Sequence, residues 1–379
     1  MVKRVCVVAH KYLTQPDDEL VRFLTGEGGE DVLHIMHSFS DAEDRRSYYR
    51  RYRPVGPVRQ KLGIDLMGWP NPVIYLKEAL YTVLWVLFLG RRWDTYIAMD
   101  GLCALWGILL RPLKVSKVVY WVIDVVPENR FDSRALNVIY RWVNIFAARH
   151  ADEVWDLSGM MLEARRQYYG LSESDYRAHK VVPYGMWVDD IPRYSLDECE
   201  SRQLVFMGHM LEKQGVQNVL AALPAIAEAV PGFRFLVIGA GAYLDPLRNL
   251  ARELKVEHLV RFTGYVEDIR QVEDMLARSG LAIAPYLREK DTWTRWADPG
   301  KVKSYLACGL PVLLTDLPWN AQEIEAARCG RIIASEPEAI ARAVIEYMGD
   351  DALLREQRAN AVEYAKRFDY KKIFQGLRL

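Results

Sequence analysis

The stretch GHMLEKQG, Gly208 to Gly215, follows the apolar run LVFMG and leads into the helical pattern VQNVLAALPAIAEAV. It puts a histidine, a lysine and two glycines where backbone amides and a helix amino end would face an anion. Lys213 is a candidate partner for a diphosphate there, against the plain alternative of an exposed lysine at a helix entry. The next loop, GAGAY, adds Gly239 and Gly241 behind the run FRFLVI. A dinucleotide fingerprint needs a third glycine at position 244, which is Leu244, so NAD binding loses its main support. The chain contains no Walker loop, no Gly-x-Ser-x-Gly elbow and no Asp-x-Asp. His34 and His37 stand three apart in a strand pattern, which turns them to opposite faces rather than toward one metal.

The elements that must position these loops form two series. Apolar, β-rich runs at 5–9, 32–36, 95–99, 117–123 and 153–158 alternate with helical patterns, and a second series follows at 204–208, 233–239, 260–264, 281–286 and 311–316. Such alternation predicts an α/β chain with parallel sheets. At 379 residues the chain exceeds one ordinary core. Two Rossmann-like doubly wound domains facing a central cleft are expected, at 1–190 and 200–355. The polar stretch 189–203 serves as the linker, and 356–379 forms a final helix returning to the first domain. In open α/β sheets ligands bind beyond the carboxyl ends of the strands, where the glycine loops lie.

A third loop, DPGKVKSYLACGLPVLLTD from Asp298 to Asp316, opens a helix with a Pro-Gly turn and ends it at Gly309. In order and spacing, MGHMLEKQG, VIGAGAY, VRFTGYVED and PGKVKSYLACGLPV resemble the nucleotide-binding half of family 4 glycosyltransferases, which have the GT-B architecture. The resemblance covers about 203–335 well; the amino-terminal half matches in pattern, through WDTYIAMDG, VVYWVIDVVP and ADEVWDLS.

The resemblance implies transfer of a sugar from a nucleotide diphosphate, UDP or GDP, to a glycan, polysaccharide or lipid-linked acceptor. Retention of configuration and a mechanism needing no metal or other cofactor go with it. Carried over by position, Lys213 matches the lysine that neutralises the diphosphate, and His209 stands where an arginine is usual. The family's paired glutamates fall at Trp296 and Ser304, and its acceptor-domain histidine falls near Ile123, leaving Asp124 beside it as the third catalytic candidate. Gly208, Gly239, Gly241, Tyr265, Asp298, Lys301, Ser304, Tyr305 and Glu323 are the donor-binding candidates. On the acceptor side stand His10 and the run RRSYYRRYRPVGPVRQK, with Arg45, Arg46, Arg50 and Arg51. That run has no acid and would grip a lipid-linked diphosphate or a membrane surface, unless it is a solvated loop.

Fifty basic residues balance fifty acidic ones, so no global field draws the chain to nucleic acid. Five scattered cysteines fit a reducing, cytoplasmic setting, and the family resemblance implies glycan assembly there, with peripheral contact at the inner membrane face. The run ALYTVLWVLFLG, Ala79 to Gly90, is too short to span a bilayer; it reads as a buried helix or as a surface helix dipping into lipid near Trp85 and Phe88. The competing functions are a non-catalytic sugar-nucleotide binder or scaffold subunit, and a sugar-nucleotide epimerase.

Overall fold

The first apolar runs become β1 (Arg4–Lys11) and β2 (Asp31–Ser38), parallel neighbours joined through α1 (Pro16–Gly26). Val5 to Ala9 are fully buried, as expected of a strand covered on both faces. The computed structural model describes residues 2–11, 16–26, 29–38, 46–66, 68–126, 129–290, 294–377 and 379. It divides into two units, Met1–Pro183 with Ile373–Leu379, and Tyr184–Lys372.

The first unit continues with β3 (Tyr48–Tyr52), β4 (Arg59–Leu62), α2 (Asn71–Phe88), β5 (Trp93–Ala98), α3 (Gly101–Leu109), β6 (Val115–Val122), α4 (Arg134–His150), β7 (Glu153–Asp156), α5 (Gly159–Tyr169) and β8 (His179–Val181). Its sheet runs β4-β3-β2-β1-β5-β6-β7-β8, with β3 and β4 antiparallel and the rest parallel. The order reverses direction between β1 and β5, the crevice where such sheets take ligands. Asp100 caps α3 by accepting from the Cys103 amide at 2.9 Å, so the end of β5 and the start of α3 are fixed together.

The second unit holds β9 (Glu200–Met207), α6 (Val216–Ala229), β10 (Arg234–Ile238), α7 (Leu244–Glu253), β11 (Val260–Gly264), α8 (Ile269–Ala277), β12 (Ser279–Ala284), α9 (Gly300–Ala307), β13 (Val312–Leu314), α10 (Ala321–Ala326), β14 (Gly330–Ile332), α11 (Pro337–Met348) and α12 (Asp351–Ala365); α13 (Tyr370–Gln375) follows at the chain end. The parallel sheet is ordered β11-β10-β9-β12-β13-β14, and its direction reverses between β9 and β12. Two apolar clusters cover its faces, one around Phe206, Leu220 and Tyr347, the other around Tyr305, Leu306 and Phe368. The fold is α/β, with two parallel-sheet Rossmann-like domains.

Three boundaries differ from the expectation. The polar stretch 189–203 is folded into the second unit: Ile191 and Leu196 are buried in its two clusters and β9 begins at Glu200. The final helix is broken in two, because Ala361, Tyr364 and Ala365 bury one side of α12 against the second unit, and only Ile373–Leu379 join the first. The basic run, read as an acceptor grip or else a solvated loop, supplies β3 and β4, and the edge strand β4 keeps Arg59 and Lys61 exposed, as unpaired sheet edges commonly do.

Candidate functional site

At the reversal point of the second sheet, the loops after β9 and β10 are sewn together by their backbones. The Gly208 amide donates to Ile238 O at 2.9 Å, Met210 to Ala240 O at 2.9 Å, and Tyr243 to Met210 O at 3.0 Å. Gly239, at φ +129°, sits so close that a Cβ there would lie 2.0 Å from Gly208 O. Gly215, at φ +75°, would place a Cβ 1.8 Å from Pro285 O, beyond the end of β12. Neither position can carry a side chain without moving backbone, which is the physical content of the glycines read from sequence.

Two lysines stand on the segments that border this crevice. Lys213 lies half-buried in a single 3-10 turn, Glu212–Gln214, whose position is fixed by the Leu287 amide donating to Lys213 O at 2.9 Å. Lys301, in the first turn of α9, donates to Gln214 Oε1 at 2.5 Å. Its ammonium lies 4.4 Å from the Phe206 ring centroid and 2.6 Å from where a Gly208 Cβ would be. The amino ends of α6 and α9 carry no side-chain cap, so their first amides remain available to an anion. His209 is exposed with its ring against Gly241, and Tyr265 is exposed just past β11.

Four donor candidates have other work. Asp298 is buried, ion-paired with buried Lys303, and accepts from the Tyr184 amide at 2.8 Å and Trp319 Nε1 at 3.1 Å. Its carboxylate is therefore spent on structure. Tyr305 is fully buried, its hydroxyl accepting from Met207 N at 2.7 Å and so pinning the end of β9. Ser304 donates back to Gly300 O at 3.3 Å within α9. Glu323 is exposed and accepts from Arg367 at 2.9 Å and the Tyr364 hydroxyl at 3.2 Å.

One residue escaped the sequence reading. Asn320, between β13 and α10, is fully buried, and neither its side-chain oxygen nor its nitrogen has a partner among the described residues. A buried amide left unsatisfied is costly, which makes it a candidate for a polar ligand. Only its place in the loop beyond a parallel strand, in TDLPWNAQE, could have drawn attention to it.

The reversal point of the first sheet is built differently. His10, at the end of β1, donates from Nδ1 to Asp100 Oδ2 at 2.7 Å and from Nε2 to Glu78 Oε2 at 3.2 Å. Burial pulls His10 down, yet the Asp100 carboxylate outweighs it and holds the imidazole well above the usual histidine range. His37 sits 5.6 Å away, bonded to Ser47 and Thr82; burial first, then the positive His10, keep it well below that range. Among the described residues, two groups bring metal-capable atoms within 4.8 Å of one another: His10, Asp100 and Cys103, and Asp17, Asp18 and His34. In both, the histidine already bonds a carboxylate, His34 reaching Asp17 at 2.8 Å. Comparing His34 with His37 alone missed both groups, because each draws its members from different elements.

Of the other first-unit candidates, Asp124 is exposed two residues past β6 rather than buried. Arg51 is buried, paired with Asp31 and stacked 4.5 Å from the Trp93 ring, so it braces β3 and cannot reach an acceptor. Arg50 is half-buried with Gln60 at 3.3 Å, Arg46 is half-buried, and Arg45 lies outside the described residues.

Residues 201–350 match the family described as glycosyl transferases group 1. The chain is 28% identical over 173 residues to a phosphatidyl-myo-inositol mannosyltransferase of Mycolicibacterium smegmatis, an alignment covering 45% of this chain and 42% of that one. The chain spans about half the length of the curated relatives it matches. Solved structures match along nearly all of it. Sucrose-phosphate synthase from Thermosynechococcus elongatus superposes with TM-score 0.70 at 14% identity, covering 98% of this chain and 96% of that one. Anabaena HepE in complex with UDP gives TM-score 0.65 at 14% identity, covering 98% and 97%. The fold is thus that of GT-B glycosyltransferases.

Proposed function

We propose that the chain transfers a sugar from a nucleoside diphosphate sugar to a glycan or lipid-linked acceptor. The observation that carries this is that Lys301, the turn bearing Lys213 and two uncapped helix amino ends gather around glycine-tight loops at the second sheet's reversal point. When a sugar leaves a nucleoside diphosphate, negative charge grows on the departing phosphates, and prepositioned cations and amides stabilise that state more than the ground state. These groups would supply the charge without a metal, and retention of configuration goes with the family likeness. Asn320 would bond hydroxyls of the donor, and the first unit would take the acceptor. UDP is the first donor to try, since a structural neighbour binds it.

Titration calorimetry with UDP, GDP and ADP in EDTA tests the donor site. One nucleotide should bind, and Lys213→Ala should weaken it by about 1.5–3 kcal/mol, the worth of a charge-assisted hydrogen bond. Unchanged affinity removes Lys213 from the site. A second reading, a sugar-nucleotide binder without turnover, draws on the buried Trp296 and on Ser304 and Glu323, which are engaged within the protein. Product formation from any donor eliminates it.

A further inference from the structure

Helix α2 is apolar on its outer side as well as on the side that buries Ile74, Ala79, Trp85 and Val86. Its polar residues Glu78 and Thr82 are buried, bonded to His10 and His37, whereas its outer side carries Leu76, Leu80, Leu84 and Phe88 at four-residue spacing, with Leu76 71% and Phe88 78% exposed. The anomaly extends beyond one helix. α3 packs between α2 and α4, and the outer sides of both neighbours continue the apolar surface through Leu109 and through Ile139 and Trp142. Scattered exposed leucines need no explanation, but a layer of three adjacent helices that all turn large apolar side chains outward does.

The charges on this layer have one sign. Across 71–92, 101–114 and 134–150 the sole acid is Glu78, which is buried. The same segments carry Lys77, which is buried, Arg111 and Arg149, which pair with Asp152 and Asp175, and Arg91, Arg92, Lys114, Arg134 and Arg141, of which all but the half-buried Lys114 are exposed. No helix among the described residues is long and apolar enough to cross a membrane. A face with an apolar centre and a net basic rim, on which Asp152 and Asp175 pair with Arg111 and Arg149 while Asp94 and Asp132 are the nearby exposed acids, complements an anionic bilayer surface, where leucine and tryptophan enter the acyl boundary and arginines meet phosphates. A second copy of the same face fits worse, because a two-fold contact would set arginines against arginines.

We infer that the outer layer of α2, α3 and α4 is a docking surface for anionic lipid, on which the protein lies without spanning. This stands independently of the proposed catalytic reading.

The test is co-sedimentation of the full chain with phosphatidylcholine vesicles with and without phosphatidylglycerol. The wild type should partition onto the anionic vesicles, and added salt should weaken it. Leu80→Glu with Trp142→Glu should lower the partition coefficient by at least about tenfold, as should Arg91→Glu with Arg134→Glu, with nucleotide affinity unchanged. If the first pair fails to fold by circular dichroism, the arginine pair decides. A wild type that stays in the supernatant with both vesicles overturns the inference, as does undiminished binding by the folded variants. So does self-association in analytical ultracentrifugation that Leu80→Glu with Trp142→Glu abolishes, which would assign the face to a second copy.

Discussion

The two sheets share a parallel core with one reversal point each, yet they finish those points in opposite ways. In the first, the protein fills the crevice with its own paired charges: His10 bridges Asp100 and Glu78, and His37 stays uncharged beside them. In the second, backbone-tight glycines gather beside Lys301 and the turn that carries Lys213, while Glu212 of that turn pairs with Lys290. Asp298, three residues before Lys301 in the chain, is turned into the core to meet Lys303. The lesson is that topology chooses where a site lies, while the pairing of charges decides whether it is braced internally or open to an external anion.

The sharpest way to break the contrast is Asp298→Asn. If Asp298 is a brace, the change strands a buried ammonium and should cost about 3–5 kcal/mol in urea unfolding, with Asp298→Leu plus Lys303→Met recovering most of it. A folded, equally stable variant that loses nucleotide would return Asp298 to the donor site. Next, Asn320→Leu should raise stability by about 1–3 kcal/mol, because it removes unsatisfied polar atoms, and should weaken donor-sugar binding at the same time. A loss of stability would show that the amide is already satisfied.

The smallest expected effect belongs to the first crevice. His10 keeps its proton in the folded state above the unfolded value of about 6.5, so its stabilisation is complete below that pH and fades as pH rises through the folded value. Chemical denaturation across that range should show stability falling by up to about 1.4 kcal/mol per pH unit, and His10→Gln should flatten the slope. An unchanged slope would mean that His10 is neutral.

Much of this contrast was legible beforehand, because it rests on short-range patterns. The runs LVFMG and FRFLVI announce buried parallel strands, and the glycines of GHMLEKQG and GAGAY announce close backbone approach; β9, β10 and both loops form as expected. What escaped depends on partners distant in sequence. Asp298 looks available in DPGK until Tyr184 and Trp319 are seen to enclose it. Arg51 looks like part of a basic grip until Asp31 and Trp93 claim it. The short edge strands β3 and β4 were hidden because their arginine-rich composition lacks an apolar face.

The chain crosses between the units twice, and the second unit's ends are tied to each other: Met186 donates to Phe368 O at 2.9 Å and Tyr370 donates back to Met186 O at 2.9 Å. The first unit needs the far end of the chain, since Phe374 packs 5.5 Å from Phe23 and 6.3 Å from Trp121. If the second unit folds first, that tie replaces a floppy loop of roughly 190 residues with a closed hairpin of a few, sparing the first unit about 3 kcal/mol of closure entropy. The order of assembly is thereby biased: the second unit acts as an internal staple, and the unit synthesised first would be the last to finish.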